Sequence, residues 1–339
     1  MSILIAPDSF KGTYSAADVA AAVAAGVGEA GGRAVRLPVA DGGEGTFDAL
    51  CRGLDAVPVS VDTQNPWGSP VRAVIGIAGD TAVVELAQAS GITVPHDGYR
   101  DPVRADTYGT GMMIAAAAGL GARKILVAAG GSATTDGGLG AVRAIEDAGG
   151  LRGASLMVLS DVTTTFLGAA EVFGPQKGAD PETVKLLGDR LARLAAGYPR
   201  NPLGIPRTGA AGGFAGGLWA HYGAELVSGA DVVLDAVGFD GHLDDARAVV
   251  VGEGRLDSQT GQGKIISAIL RRIRQSGRTI PVFAAVGSVA ADLGGYRDNF
   301  ADVFITPDPA AMRAAGTAIA VRTGAKASPG PKSVPGPLP

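Results

Sequence analysis

Apolar runs alternate with helical stretches in the first part of the chain and predict a repeated strand–loop–helix pattern. The run at residues 3–6 predicts a buried strand. Ser15 and Asp18 have the spacing of a capping box, which predicts a helix that ends near Glu29. The next strand and helix are predicted at 34–40 and 46–54. Two strands joined through a helix in this way indicate a parallel sheet.

The spacing of the apolar runs changes in the middle of the chain. Runs that follow one another without helices predict antiparallel strands at 57–61, 71–77 and 81–86. The alternation of helices and strands then returns. Helices are predicted at 108–120, after residue 138 and at 264–274, and strands at 124–128, 156–159, 248–251, 281–285 and 302–306.

This order of elements predicts an α/β protein with two domains. A flavodoxin-like, doubly wound parallel sheet is expected from both ends of the chain, residues 1–56 and 245–325. A mixed α/β domain is expected to be inserted between them at 57–244. The proline-rich tail at 326–339 is predicted to be disordered. In such folds, ligands bind at the carboxyl ends of parallel strands and in clefts between domains, so a reaction site is expected there.

Composition excludes several classes of function. A formal net charge of −4 argues against a general nucleic-acid binder, and 5% aromatic residues leave few platforms for stacked bases. No apolar stretch is long enough for a membrane span. Cys51 is the single cysteine, which rules out an intramolecular disulfide and a cysteine-rich metal site. Because the N-terminus also lacks a signal-like segment, a cytoplasmic enzyme is expected.

Candidate chemistry is concentrated in five loops that combine glycine with acids or lysines. They lie at residues 8–12, 41–45, 130–138, 174–178 and 252–260. Glycine lets backbone N–H groups approach an anion, and a following helix N-terminus favours negative charge. Carboxylates suit Mg²⁺, while lysine and arginine neutralise phosphate or carboxylate groups. Any one of these loops could be an ordinary turn, but together they indicate phosphoryl transfer.

Several familiar motifs are absent from the sequence. There is no P-loop, no complete dinucleotide-binding fingerprint, no protein-kinase catalytic loop and no Gly-x-Ser-x-Gly motif. The histidines stand far apart without the spacing of a zinc site. The phosphate chemistry must therefore use another arrangement of loops.

The loops resemble those of the bacterial type 1 glycerate kinases. The similarity runs in order over roughly residues 3 to 320 and is carried by five segments. They are Ala-Pro-Asp-Ser-Phe-Lys-Gly at 6–12, Asp-Gly-Gly-Glu-Gly at 41–45, Gly-Gly-Ser-Ala-Thr-Thr-Asp-Gly-Gly at 130–138, Phe-Gly-Pro-Gln-Lys-Gly-Ala at 173–179 and Gly-Glu-Gly-Arg-Leu-Asp-Ser-Gln-Thr at 252–260. The resemblance implies ATP-dependent phosphorylation of D-glycerate, most often at the 2-hydroxyl to give 2-phosphoglycerate. It also implies a flavodoxin-like domain interrupted by a second α/β domain.

Two features depart from the family pattern. Residues 147–151 join a helix to the next strand directly, where the family has a longer segment, so part of the inserted domain is missing. The family's Cys-Asp-Val followed by Asn-Pro-Leu is replaced by Ser-Asp-Val-Thr-Thr-Thr-Phe-Leu at 160–167. The aspartate is kept and the Asn-Pro is not. These changes could alter substrate fit or oligomer contacts.

The resemblance and the chemistry of the side chains together suggest roles for individual residues. Asp161 or Asp257 is the candidate base that accepts or orients the substrate hydroxyl, and Lys11 and Lys177 would offset charge on the phosphoryl group. Arg255 would fork onto the substrate carboxylate, or else pair with Asp257 and only shape the loop. Further substrate-binding candidates are Ser9, Gln259 and Thr260. The candidates for binding the nucleotide phosphates are Gly130, Gly131, Ser132, Thr134 and Thr135. The candidates for binding Mg²⁺ are Asp41, Glu44 and Asp136.

Other functions stay open at this point. The chain could be a glycerate 3-kinase or a kinase for a related small hydroxy acid. A non-catalytic ligand-binding relative is a third reading, disfavoured because most of the loop acids are present. The expected partners are D-glycerate and ATP, with no nucleic acid and no membrane, and a homodimer is one possible assembly.

Overall fold

The computed structural model of the protein describes most of the chain. The described residues are 1–96, 98, 100–257 and 265–324. The predicted disordered tail at 326–339 lies outside them, as does Lys264, the predicted first residue of a helix.

The described chain divides into two compact units. The first unit brings together Met1–Pro38, residues 239–257 and residues 269–324. The second unit comprises Val39–Gly238 with residues 265–268. The first unit is thus assembled from both ends of the chain, and the second from one nearly continuous stretch.

The first unit contains a five-stranded parallel sheet. Its elements are β1 (Ser2–Pro7), α1 (Ala16–Glu29), β2 (Ala34–Arg36), α10 (Phe239–Leu243), β9 (Ala246–Leu256), α11 (Ile265–Gln275), β10 (Val282–Val289), a 3-10 helix (Gly294–Asn299), β11 (Asp302–Ile305) and α12 (Pro309–Arg322). Residues 265–268 of α11 group with the second unit. The strand order is β2-β1-β9-β10-β11. Counted along this unit alone, that order is 2-1-3-4-5, which is the flavodoxin-like, doubly wound arrangement. The predicted fold class is confirmed.

Packing in the first unit follows from its sequence pattern. All six residues of β1 are buried, as expected for a parallel strand covered on both faces. Helix α1 begins with the predicted capping box, in which Asp18 N donates to Ser15 Oγ and Ser15 N donates to Asp18 Oδ2, each at 3.2 Å. Helix α1 packs closely on α12, because a Cβ on Gly26 would lie 1.8 Å from Arg313 O.

The second unit contains a six-stranded mixed sheet in the order β3-β4-β5-β6-β7-β8. Its elements are α2 (Thr46–Gly53), β3 (Val57–Gln64), β4 (Pro70–Ala78), β5 (Thr81–Glu85), α3 (Ala87–Ser90), α4 (Tyr108–Gly119), β6 (Lys124–Ala128), α5 (Leu139–Asp147), β7 (Ser155–Leu159), α6 (Gly168–Phe173), a 3-10 helix (Pro175–Lys177), α7 (Pro181–Gly197), α8 (Phe214–Tyr222), β8 (Glu225–Val227) and α9 (Gly229–Ala236). Strands β3, β4 and β5 pair antiparallel, as predicted, and β5 to β8 pair parallel.

Several predicted strands have different ends in the structure, among them β2 and β9. Strand β2 stops at Arg36 rather than at residue 40, because Pro38 has no N–H to continue the pairing with β1. Strand β9 extends from Ala246 to Leu256 rather than over 248–251, because β10 pairs with it as far as Leu256. The predicted loop at 252–260 was therefore wrong in its first half, which is strand.

The division between the units also differs from the predicted domain boundaries. Helix α2 packs against β4, β5 and α9, all of which lie in the second unit. A Cβ on Gly53 would lie only 2.5 Å from Ala236 O, so this packing is close. Residues 39–56 accordingly group with the second unit, and residues 239–244 with the first.

Across the described ranges, none of the helices is both long and apolar enough to cross a membrane.

Candidate active site

The candidate site of the second unit lies at the carboxyl ends of β5, β6 and β7. These neighbouring parallel strands end at Glu85, Ala128 and Leu159, so the residues that follow them share one edge of the sheet. The glycine-rich loop at 41–45 reaches the same edge, where Gly130 N donates to Gly42 O at 3.2 Å. This is where ligands bind in open α/β sheets.

Small residues allow the loop at 41–45 to approach so closely. Gly42 has a φ of 100°, and a Cβ at this position would lie 3.2 Å from Leu159 O and 3.3 Å from Ser160 Cα. A Cβ on Gly229 would lie 2.5 Å from Gly42 Cα. Side chains larger than hydrogen are therefore strained or excluded here, and the acid at the start of this loop, Asp41, is held beside the end of β7.

Asp161 has the properties of a proton acceptor. Its Oδ2 accepts a hydrogen bond from Ala230 N at 3.3 Å, in the first turn of α9. Its Oδ1 is buried and has no hydrogen-bond partner among the described residues. Burial raises the pKa of Asp161 to about 6, a hydrogen bond from Ser228 opposes this shift, and the negative charge of Asp41 adds to it. A carboxylate with this pKa can accept a proton near neutral pH.

A second perturbed carboxyl group, Glu85, ends β5. Burial raises its pKa to about 7, a hydrogen bond with Gln88 opposes the shift, and the charges of Asp48 and Glu44 add to it. Glu85 was not among the predicted site residues, although an acid near the carboxyl end of an apolar strand was a usable signal. Asp41 thus lies near the carboxyl group of Asp161, and Glu44 near that of Glu85. A bound cation would relieve the repulsion within each pair.

The predicted nucleotide loop is only partly accessible. Gly131 is exposed, and Gly130 and Ser132 are half-buried. Thr134 and Thr135 are buried, so their side chains are not placed to contact a nucleotide. The loop is fixed by hydrogen bonds from Ile92 N to Gly131 O and from Ala133 N to Ser90 O, each at 2.9 Å.

Asp136 is fully buried, and its carboxylate is already satisfied by the protein. It accepts hydrogen bonds from Thr107 N at 2.9 Å, Thr107 Oγ1 at 2.7 Å, Gly138 N at 3.1 Å and Gly140 N at 3.0 Å. These donors occupy the lone pairs that Mg²⁺ would need. The arrangement favours a structural anchor for the loop over the predicted metal ligand.

Lys177 lies behind the loop rather than in front of it. Only 7% of the residue is exposed, and its Nζ donates to Thr134 O at 2.5 Å. Burial lowers the pKa of this lysine to about 7, an effect partly opposed by Asp136. The position suits a residue that holds the loop backbone, and not one that touches a phosphoryl group.

The other predicted site residues belong to the first unit. Ser9 follows β1 and is buried, and its Oγ has no hydrogen-bond partner in the part of the chain that the structure describes. Lys11 and Arg255 are exposed, and Arg255 lies within β9 opposite Ser288. Asp257 directly follows β9 and is half-buried. Strands β1 and β9 adjoin where the strand order reverses, which is the ligand-binding position of a doubly wound sheet. Gln259 and Thr260 lie outside the described residues.

Arg207 was also not among the predicted site residues. Its backbone φ is 70°, its Nη1 donates to Ser160 O, and its positive charge lowers the pKa of the adjacent Asp161. The glycine-rich run at 209–213 was the available signal. Within the described ranges, no three histidine, cysteine, aspartate or glutamate side chains form a group that could hold a metal ion.

Comparisons with known proteins show which family the chain belongs to. The model of the glycerate kinase family matches residues 3–148 and 146–321. The chain belongs to the glycerate kinase family. It is 35% identical to a glycerate kinase of Bacillus subtilis (92% of this chain, 91% of the relative) and 35% identical to a glycerate 2-kinase of Escherichia coli (87% of each). A crystal structure of a proposed glycerate kinase 2 from Salmonella typhimurium matches with a TM-score of 0.80 and 32% identity, over 95% of this chain and 98% of that one.

The resemblance inferred from the sequence is therefore confirmed, and with it an assignment to the phosphotransferases with an alcohol group as acceptor. The two stretches matched by the glycerate kinase family model meet at residues 146–148. The direct connection noted at 147–151 begins at the same place, between α5 and β7.

We expect the burial of Lys177 to make stability depend on pH. Because its pKa is lowered from 10.5 to about 7 on folding, the unfolded chain binds more protons between these values. The contribution of Lys177 to stability is therefore greatest above pH 10.5 and is lost as pH falls towards 7. The difference in melting temperature between wild type and Lys177→Met should grow as pH rises from 7 to 10. A constant difference would contradict the buried position, and Lys185→Met on the exposed face of α7 is the control.

Proposed function

We propose that the chain is an ATP-dependent glycerate kinase that phosphorylates D-glycerate at the 2-hydroxyl and releases 2-phosphoglycerate and ADP. Family membership supports the reaction class. The observation that carries the chemistry is the environment of Asp161, which lies at the edge of the sheet where the loops at 41–45 and 130–132 meet. Its pKa is raised, and its Oδ1 has no hydrogen-bond partner among the described residues.

Asp161 is the proposed general base. Its carboxylate accepts the proton of the substrate hydroxyl while the oxygen attacks the γ-phosphorus of ATP and ADP leaves. The N–H of Ala230 holds one carboxylate oxygen and leaves Oδ1 to receive the proton. Of the two candidate bases, Asp161 is favoured because its environment tunes it to neutral pH.

The accessible residues Gly130, Gly131 and Ser132 are proposed to contact the nucleotide phosphates through backbone N–H groups. Asp41 and Glu44 are proposed to hold Mg²⁺ directly or through water. These residues fit a hard cation, since each lies near another carboxylate and one or two protein carboxylates suffice when phosphates complete the coordination. The ion would neutralise charge on the phosphates. The roles of Ser9, Lys11, Arg255 and Asp257 stay predictions.

The reaction is tested by a coupled assay of ADP release with ATP, Mg²⁺ and D-glycerate, followed by NMR of the product. We expect ADP release and coupling of phosphorus to C2. Coupling to C3 would make the protein a 3-kinase, and a higher rate with tartronate or another hydroxy acid would change the substrate. Folded protein that releases no ADP with any of them would refute the proposed activity.

The assembly and location of the protein also stay predictions. A homodimer would have twice the 33.7 kDa mass of the chain in size-exclusion chromatography with light scattering. A cytoplasmic location is tested by fractionation of cells that express the natural protein.

A further inference from the structure

Arg207 has a backbone conformation that arginine rarely adopts. Its φ of 70° lies in the left-handed region, where a side chain is strained. The surroundings impose this conformation: Arg207 N donates to Thr163 O at 3.3 Å, and a Cβ on Gly209 would lie 2.3 Å from Thr165 O. Such strain persists where the neighbouring structure enforces it, and it is concentrated at functional sites.

The side chain of Arg207 is directed to the residue before the proposed base. Its Nη1 donates to the carbonyl oxygen of Ser160. This is the one hydrogen bond that the guanidinium makes within the described part of the chain, and a guanidinium has several further N–H donors in a rigid fork. Arg207 is half-buried, so those donors lie in a partly desolvated position beside Asp161.

The chemistry of an α-hydroxy acid fits this pair of residues. Its hydroxyl and its carboxylate are on adjacent carbon atoms, so a hydroxyl that faces Asp161 brings the carboxylate close to a neighbouring group. A guanidinium binds a carboxylate through paired, charge-assisted hydrogen bonds. We infer that Arg207 binds the carboxylate of the α-hydroxy acid while Asp161 receives the proton of the adjacent hydroxyl. The inference rests on the proposed function and names the residue that selects an acid substrate.

Arg255 had been expected to bind this carboxylate. It lies in the first unit, on β9, and is exposed, whereas Arg207 lies in the same unit as Asp161 and next to its loop. The other anion at the site is the phosphate chain of ATP. Kinetics distinguish whether Arg207 binds the carboxylate or the phosphates. Loss of a residue that binds the carboxylate affects the KM for glycerate, and loss of a residue that binds phosphate affects the KM for ATP.

Arg207→Gly is the most informative variant, because glycine adopts the left-handed conformation without strain. The melting temperature should be kept or raised. The KM for D-glycerate should rise roughly 10- to 100-fold, as for loss of a charge-assisted hydrogen bond, and the KM for ATP should not change. Preference for D-glycerate over glycerol, which lacks the carboxylate, should fall by the same factor. Arg207→Lys, which keeps the charge, should recover part of the loss.

Arg152→Gly is a matched control. Arg152 also has a positive φ, of 51°, but it is exposed and precedes β7, at the opposite end of the strand from Asp161. The same replacement there should leave both KM values unchanged.

The inference is overturned if Arg207→Gly has the wild-type KM for D-glycerate, or if only its KM for ATP rises. If Arg207→Gly is poorly folded, the inference is tested instead on the KM values of Arg207→Lys for D-glycerate and for ATP. Absence of ADP release by the wild type would instead refute the proposed function. Calorimetric titration with D-glycerate then tests the inference alone: equal affinity in wild type and Arg207→Gly, or binding by neither, overturns it.

Discussion

Asp161→Asn is expected to lower kcat for D-glycerate by roughly 10²- to 10⁴-fold, the range that a general base contributes. Asparagine keeps the size of the side chain and can still accept a hydrogen bond from Ala230 N, but it cannot take a proton. The structure should therefore be preserved while turnover is lost. Steady-state kinetics with unchanged circular dichroism would establish this.

The pH profile provides an independent readout of the same prediction. Since the pKa of Asp161 is raised to about 6, the base is mostly protonated below this pH, so the rate should rise with pH through about 6 and level off above it. Asp161→Asn should lack this rise. Asp257→Asn is the matched comparison, as Asp257 is the other candidate base. Wild-type turnover in Asp161→Asn together with an inactive Asp257→Asn would transfer the role to Asp257.

Gly212→Ala should destabilise the second unit by about 2–5 kcal/mol, the sum of left-handed strain and a steric clash. Gly212 has a φ of 66°, and a Cβ there would lie 2.0 Å from Thr134 O and 2.6 Å from Thr135 Cα. The clash acts on Thr134 O, the carbonyl oxygen that also accepts the hydrogen bond from Lys177 Nζ, so nucleotide binding should weaken as well.

Gly204→Ala separates the clash from the strain. Gly204 has a similar φ of 74°, but no atom of the described neighbours lies within 4 Å of its Cβ position, so its replacement should cost only about 1–2 kcal/mol. Urea unfolding followed by tryptophan fluorescence is a suitable measurement, because Trp67 and Trp219 both lie in the second unit. Equal destabilisation by the two replacements would contradict the close packing of Gly212 on Thr134.

Much of the fold could be predicted because its elements carry local signals. The capping box at Ser15 and the apolar run of β6 each specify an element without help from the rest of the chain. The ends of β2 and β9 could not be predicted in the same way. They depend on pairing with strands that are distant in sequence, and the apolar pattern of a single strand does not record that pairing.

The candidate site was less predictable than the fold. The sequence offered Asp161 and Asp41 as candidates, but it could not distinguish exposed loop residues from those that face the core. Asp136, Thr134 and Lys177 lie in loops of the same composition, yet all three are buried. Arg207 was missed because its left-handed backbone is imposed by contacts with Thr163 and its neighbours, and arginine itself gives no sign of it.

The pairing of β1 with β9 has a consequence for how the protein is made. Leu4 lies opposite Val249, so the centre of the first sheet joins segments that are far apart along the chain and are synthesised at different times. Until β9 has been synthesised, β1 can pair with β2 but not with β9, and its apolar side chains are incompletely buried. Nearly all of the second unit is by then complete, since domains fold as their chain emerges. Translation therefore sets the order of assembly, in which the inserted unit forms first and the unit that encloses it in sequence closes last.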